Sequence, residues 1–123
     1  MAEKEKRILV VDDQEINIDI LENLLDKQYT VLSAMTGMQA LRIAQSNNPP
    51  DLILLDIVMP ELDGFEVCKR LKSDSRTNPI PVVFITTQDE IDDKMDAYEY
   101  GAADYITKPI DPDIVLSTVG KYV

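Results

Sequence analysis

Short apolar runs recur along the chain and alternate with stretches whose apolar residues fall at helical spacing. Ile8 to Val11, Thr30 to Ala34, Leu52 to Leu55, Val82 to Ile85 and the shorter Tyr105-Ile106 read as strands. Their hydrophobicity is near-continuous rather than alternating, as expected of parallel strands covered by helices on both faces. Between them, Ile16, Ile20, Leu21, Leu24 and Leu25 predict one helix from Gln14 to Leu25. Met38, Leu41 and Ala44 predict a second, closed by Asn47-Asn48-Pro49-Pro50, and Phe65, Cys68 and Leu71 a third, stopping near Asn78-Pro79. Ile91, Met95 and Tyr98 predict a fourth, ended by Gly101, a residue suited to a left-handed cap. A fifth helix is expected from Asp111 onwards. This strand-helix alternation, with short links, predicts an α/β fold with a five-stranded parallel sheet and right-handed crossovers.

Composition narrows the picture. At 123 residues and 45% hydrophobic positions, residues 1–123 suffice for one domain with one packed core. No apolar run approaches the length of a membrane span, and Met1 to Arg7 lack the apolar stretch of a signal peptide. Cys68 is the single cysteine and has no internal disulfide partner, which fits a reducing, cytoplasmic setting. The net charge of −11, from 23 acidic and 12 basic residues, argues against direct nucleic acid binding, which draws on Lys and Arg. Histidine is absent, and that excludes a phosphohistidine carrier, histidine-based acid–base catalysis and a histidine-ligated zinc site.

The polar residues that interrupt the apolar strands gather at the strands' C-terminal ends, where open α/β sheets bind ligands. They are Asp12 and Asp13 after the first strand, Asp56 after the third, Thr86 after the fourth and Lys108 after the fifth. Taken singly, each has an ordinary structural use; Asp13 before Gln14, for example, suits a helix N-cap. Together they suit phosphoryl transfer. Clustered carboxylates repel unless a cation neutralises them, and an oxygen-only donor set suits a hard ion such as Mg²⁺. Lys108 adds a compact positive charge, Thr86 a hydroxyl donor, and a carboxylate such as Asp56 can itself be the nucleophile.

Four stretches resemble the response-regulator receiver family over essentially the whole chain. They are Ile8-Leu9-Val10-Val11-Asp12-Asp13, Asp56-Ile57-Val58-Met59-Pro60-Glu61-Leu62-Asp63-Gly64, Ile85-Thr86-Thr87 and Gly101-Ala102-Ala103-Asp104-Tyr105-Ile106-Thr107-Lys108-Pro109. The resemblance implies a flavodoxin-like, doubly wound (βα)5 fold with strand order 2-1-3-4-5. It implies that Asp56 is the phosphoacceptor in two-component signalling. Asp12, Asp13, Asp56 and the Val58 carbonyl would hold Mg²⁺, with Mn²⁺ an acceptable substitute. Thr86 and Lys108 would bind the phosphoryl group, and the peptide bond before Pro109 would be cis, aiming Lys108 into the site. Thr86 and Tyr105 would form a switch acting on the fourth helix, fifth strand and fifth helix. Val58 and Gln88, each two residues past a site residue, would tune the lifetime of the phosphorylated form.

The implied partners are a histidine kinase or a histidine phosphotransfer protein, with an output domain after Val123 if the chain is part of a longer response regulator. No membrane partner is implied. The chain is expected to be monomeric when unphosphorylated, with room for dimerisation on phosphorylation. It would catalyse its own phosphorylation and dephosphorylation without being a turnover enzyme. Three rivals share features. A flavin carrier would need a Ser/Thr/Gly-rich phosphate cradle where Asp12-Asp13 stands. An aspartyl-phosphate phosphatase would carry an acidic residue where Val58 stands. A pseudo-receiver interaction module would use no phosphorylation, yet none of the acidic residues or the lysine is missing.

Overall fold

A computed structural model describes residues 6–87 and 101–123. Five parallel strands form one sheet: β1 (Arg7–Val11), β2 (Thr30–Ala34), β3 (Leu52–Asp56), β4 (Val82–Thr86) and β5 (Asp104–Thr107). Their order is β2-β1-β3-β4-β5, the flavodoxin-like order. The described helices are α1 (Glu15–Leu25), α2 (Gly37–Ala44), α3 (Gly64–Ser73) and α4 (Pro112–Tyr122). The helix expected around Ile91, Met95 and Tyr98, together with Gln88, lies outside the described residues. Gly101 does take the left-handed conformation expected of it, with φ of 93°.

Side-chain alternation along the strands explains the layers. Leu9, Val11, Ile53, Leu55, Val82 and Phe84 project to one face and pack with Ala40, Leu41, Val67, Cys68 and Leu71 of α2 and α3. Ile8, Val10, Leu52, Leu54, Val83, Ile85 and Ile106 project to the other, against Ile18, Leu21 and Leu25 of α1 and Val115 and Val119 of α4. Every residue of β3 and β4 is buried, so the central strands carry apolar residues on both sides, as the continuous runs predict.

Two helical stripes differ from expectation. Ile16 and Ile20 are exposed, at 66% and 43%, while Ile18 is buried and completes a core stripe with Leu21 and Leu25. Isoleucines at 16, 18 and 20 offer α1 two apolar faces, and packing on the sheet selects one. Met38 is likewise exposed, and α2 is buried through Gly37, Ala40, Leu41 and Ala44 instead. The third helix ends at Ser73, earlier than Asn78-Pro79, because the buried Thr77 hydroxyl donates to the Leu71 carbonyl at 2.6 Å and caps the last turn. The links are set by local chemistry. Thr36, Asp63 and Asp111 cap α2, α3 and α4 by accepting hydrogen bonds from first-turn backbone N–H groups.

Candidate functional site

The β1 and β3 strands are neighbours, so their C-terminal ends bring Asp12, Asp13 and Asp56 together. One carboxylate oxygen from each lies within 4.8 Å of the others. Asp12 and Asp56 are buried and Asp13 half-buried. Asp13 does not cap α1; its N-cap is Gln14, whose backbone N–H donates to Asp12 Oδ1 at 2.9 Å. Asp12 is further held by its own N–H to the Ala34 carbonyl and by a side-chain hydrogen bond to Asn17. Asn17 belongs to none of the motif stretches, and its one sequence signal is its place in the first turn of the helix that follows the acidic pair.

Lys108 reaches the cluster from the loop after β5. Its Nζ donates to Asp56 Oδ1 at 3.0 Å, and the Lys108–Pro109 peptide bond is cis. Its backbone N–H donates to the Thr86 carbonyl at the end of β4, so the two residues are tied through the main chain. Thr86 is buried, with its hydroxyl 3.4 Å from the Thr87 carbonyl. Tyr105 pairs with Phe84 across β4 and β5, which places it on the same face of the sheet as Thr86, and it is partly exposed. Val58 is exposed in the loop after β3.

Gly64, in sequence no more than the end of a loop motif, shapes the turn that leaves β3. Its N–H donates to the Ile57 carbonyl at 2.7 Å, and a Cβ there would sit 2.4 Å from the Asp56 carbonyl oxygen. Only glycine allows α3 to start so close to the end of β3. Glu61, with φ of 68°, completes the reversal.

Burial raises the Asp56 carboxyl from 3.8 to about 6, against the lowering effect of the Lys108 hydrogen bond and with the charge of Asp12 adding to the rise. Asp12 is raised too, chiefly by burial, opposed by the Gln14 N–H and by Lys108. Full ionisation of the cluster is therefore disfavoured until positive charge arrives. The donors are all carboxylate oxygens, and a hard divalent cation fits this set.

Known proteins resemble this chain in sequence and in fold. The family model for the response regulator receiver domain matches residues 8–119. PleD, a response regulator of Caulobacter vibrioides, is 50% identical over 89% of this chain, which spans only 24% of PleD. Protein PilH of Pseudomonas aeruginosa is 40% identical over 92% of this chain and 93% of its own length. The receiver domain of a Pseudomonas aeruginosa sensor histidine kinase, solved with a magnesium ion in its active site cleft, superposes with a TM-score of 0.85. It is 25% identical, over 95% of this chain and 96% of that one. Receiver domains are signalling switches rather than turnover enzymes. With the motifs at four strand ends, the sheet order and these matches in agreement, the chain belongs to the response regulator receiver domain family.

Proposed function

We propose that this domain is a phosphorylation switch in two-component signalling, with Asp56 as the acceptor of a phosphoryl group from a histidine kinase or a histidine phosphotransfer protein. One observation carries the reading. A buried aspartate stands within 4.8 Å of two further carboxylates and 3.0 Å from a lysine ammonium, at the carboxyl end of the central strand.

Asp12, Asp13, Asp56 and the Val58 carbonyl would hold Mg²⁺, or Mn²⁺ in its place, and the ion would neutralise charge shared between the carboxylates and the incoming phosphoryl oxygens. The rest falls to side chains of this chain. With the cation and Lys108 beside it, Asp56 would be ionised, as a nucleophile must be. Its carboxylate oxygen attacks phosphorus, the phosphorus–nitrogen bond of the donor breaks, and the imidazole nitrogen keeps the electron pair. Lys108 exchanges its carboxylate contact for a phosphoryl oxygen, and Thr86 donates its hydroxyl to another. Because the acyl phosphate is more negative than the carboxylate it replaces, Thr86 is drawn towards it and Tyr105 follows into the space released. The surface made by β5, α4 and the helix expected between β4 and β5 then favours a second arrangement. Val58 and Gln88 set how readily water reaches the acyl phosphate.

We place the domain in the cytoplasm, monomeric until phosphorylated, and acting on whatever output domain it is joined to; no described helix is long and apolar enough to cross a membrane. Intact mass after incubation with Mg²⁺ and acetyl phosphate tests the reading. A metal-dependent gain of one phosphoryl group in the wild type, absent from Asp56→Asn, is expected. Failure to gain the group, combined with failure to bind beryllofluoride, would overturn it.

A further inference from the structure

Beside the acidic cluster lies a pocket of about 310 Å³ between α1 and the segment that follows β5. Asp12 and Lys108 line it, so it adjoins the proposed phosphoacceptor site. The remaining wall is largely apolar and includes Ile20, Leu21, Ile85 and Ile110. Leu21 and Ile85 are almost wholly buried, whereas Ile20 is exposed on α1 and turned away from the core stripe. The volume is at the lower end of the range for small-molecule sites, and an apolar wall with a few convergent charged groups is their usual make-up.

We propose that this pocket receives the acyl portion of a small acyl phosphate, and that the domain takes branched or aromatic acyl phosphates in preference to acetyl phosphate as direct phosphodonors. The inference rests on the phosphoacceptor reading of Asp56. Lys108, which would take a phosphoryl oxygen of the donor, also lines the pocket, so the donor's non-reacting part would have an apolar wall within its reach. The chemistry balances without a further reactant. An Asp56 oxygen bonds to phosphorus, the bond from phosphorus to the acyl oxygen breaks, and the carboxylate leaves with the electron pair. No proton changes hands. An acetyl group is too small to cover Ile20 and Ile110, whereas a benzoyl group can replace water against both.

Acetyl phosphate and benzoyl phosphate should be compared as donors in Mg²⁺, following intact mass at concentrations below saturation. Each rate is divided by that donor's rate of spontaneous hydrolysis at the same pH, which also breaks the bond from phosphorus to the acyl oxygen and so removes the difference in intrinsic reactivity. Benzoyl phosphate is expected to be favoured roughly tenfold, less than full burial of a phenyl ring would give because the pocket is open to solvent. Ile20→Trp, on an exposed helix face, and Ile110→Trp should each fill the pocket and bring the ratio close to one. Equal corrected rates in the wild type, or a preference that survives both substitutions, would overturn the proposal and leave the phosphoacceptor reading standing. Labelling by neither donor would overturn it as well, and beryllofluoride binding in the same sample then decides whether the phosphoacceptor reading falls with it.

Discussion

Asp56 is buried at a cost whose sign is fixed by proton linkage. Its folded value of about 6 lies above the ordinary 3.8, so between these values the folded chain binds more protons than the unfolded one. Stability without metal therefore falls as pH rises through that window, by about 3 kcal/mol for this group alone. Asp12 acts in the same direction. Asp56→Asn removes the contribution, so with chelator present it should be more stable than the wild type at pH 7, with the advantage shrinking towards pH 4. Urea denaturation at both pH values would show this, and an advantage that does not change with pH would contradict it. Lys108→Ala takes away the ammonium 3.0 Å from Asp56. Phosphoryl uptake should then slow about a hundredfold, in line with losing one preorganised charge donor. The Asp56 carboxyl should titrate higher still, which carbon NMR of the side chain would read. The identities of these residues are legible in the sequence because strands in an open sheet deliver their ends to one place. Their hydrogen bonds are not, and the role of Asp12 in receiving the Gln14 N–H cannot be seen in residue types alone.

Among the elements, the join between β3 and α3 is the most demanding. Gly64→Ala would press a methyl group onto the Asp56 carbonyl oxygen and Ile57 Cα, at 2.4 and 2.7 Å, and both are backbone atoms with little freedom to yield. A loss of about 2–3 kcal/mol is expected from such overpacking, read as a lower urea midpoint. Mg²⁺ affinity should fall with it, since the strand end that carries Asp56 and leads to Val58 would be displaced. Wild-type affinity in a destabilised variant would separate the two effects and refute the second. Strands are readable because a short, unbroken apolar run bounded by polar residues is what burial on two faces demands. Helix faces are less so. In α1 the isoleucines at 16, 18 and 20 satisfy two stripes equally, and only packing into the core on that face of the sheet gives the inward face to Ile18. The early end of α3 depends on one buried threonine hydroxyl, which no periodicity announces.

For the whole molecule, charge is the dominant feature beyond the fold. With a net charge of −11, self-repulsion opposes compaction, and salt screens it. Thermal melts in chelator should shift upward by a few degrees on raising NaCl from low to physiological strength, for the wild type and Asp56→Asn alike. Mg²⁺ at millimolar concentration should add a further shift that is much smaller in Asp56→Asn, because only site binding needs that carboxylate. Equal Mg²⁺ shifts in the two proteins would mean general screening alone. The parallel α/β architecture can be read from the alternation of strand and helix, but the strand order cannot, since periodicity says nothing about which strands are neighbours. That order comes from the family resemblance, and the sheet reproduces it. The hydrogen bond from Gln14 N–H to Asp12 has a practical consequence on this scale. An amide proton's resonance responds to the charge on its acceptor, so this one signal at the head of α1 is a built-in spectroscopic gauge of ion occupancy. It can be followed through a titration without labelling the site or phosphorylating the protein.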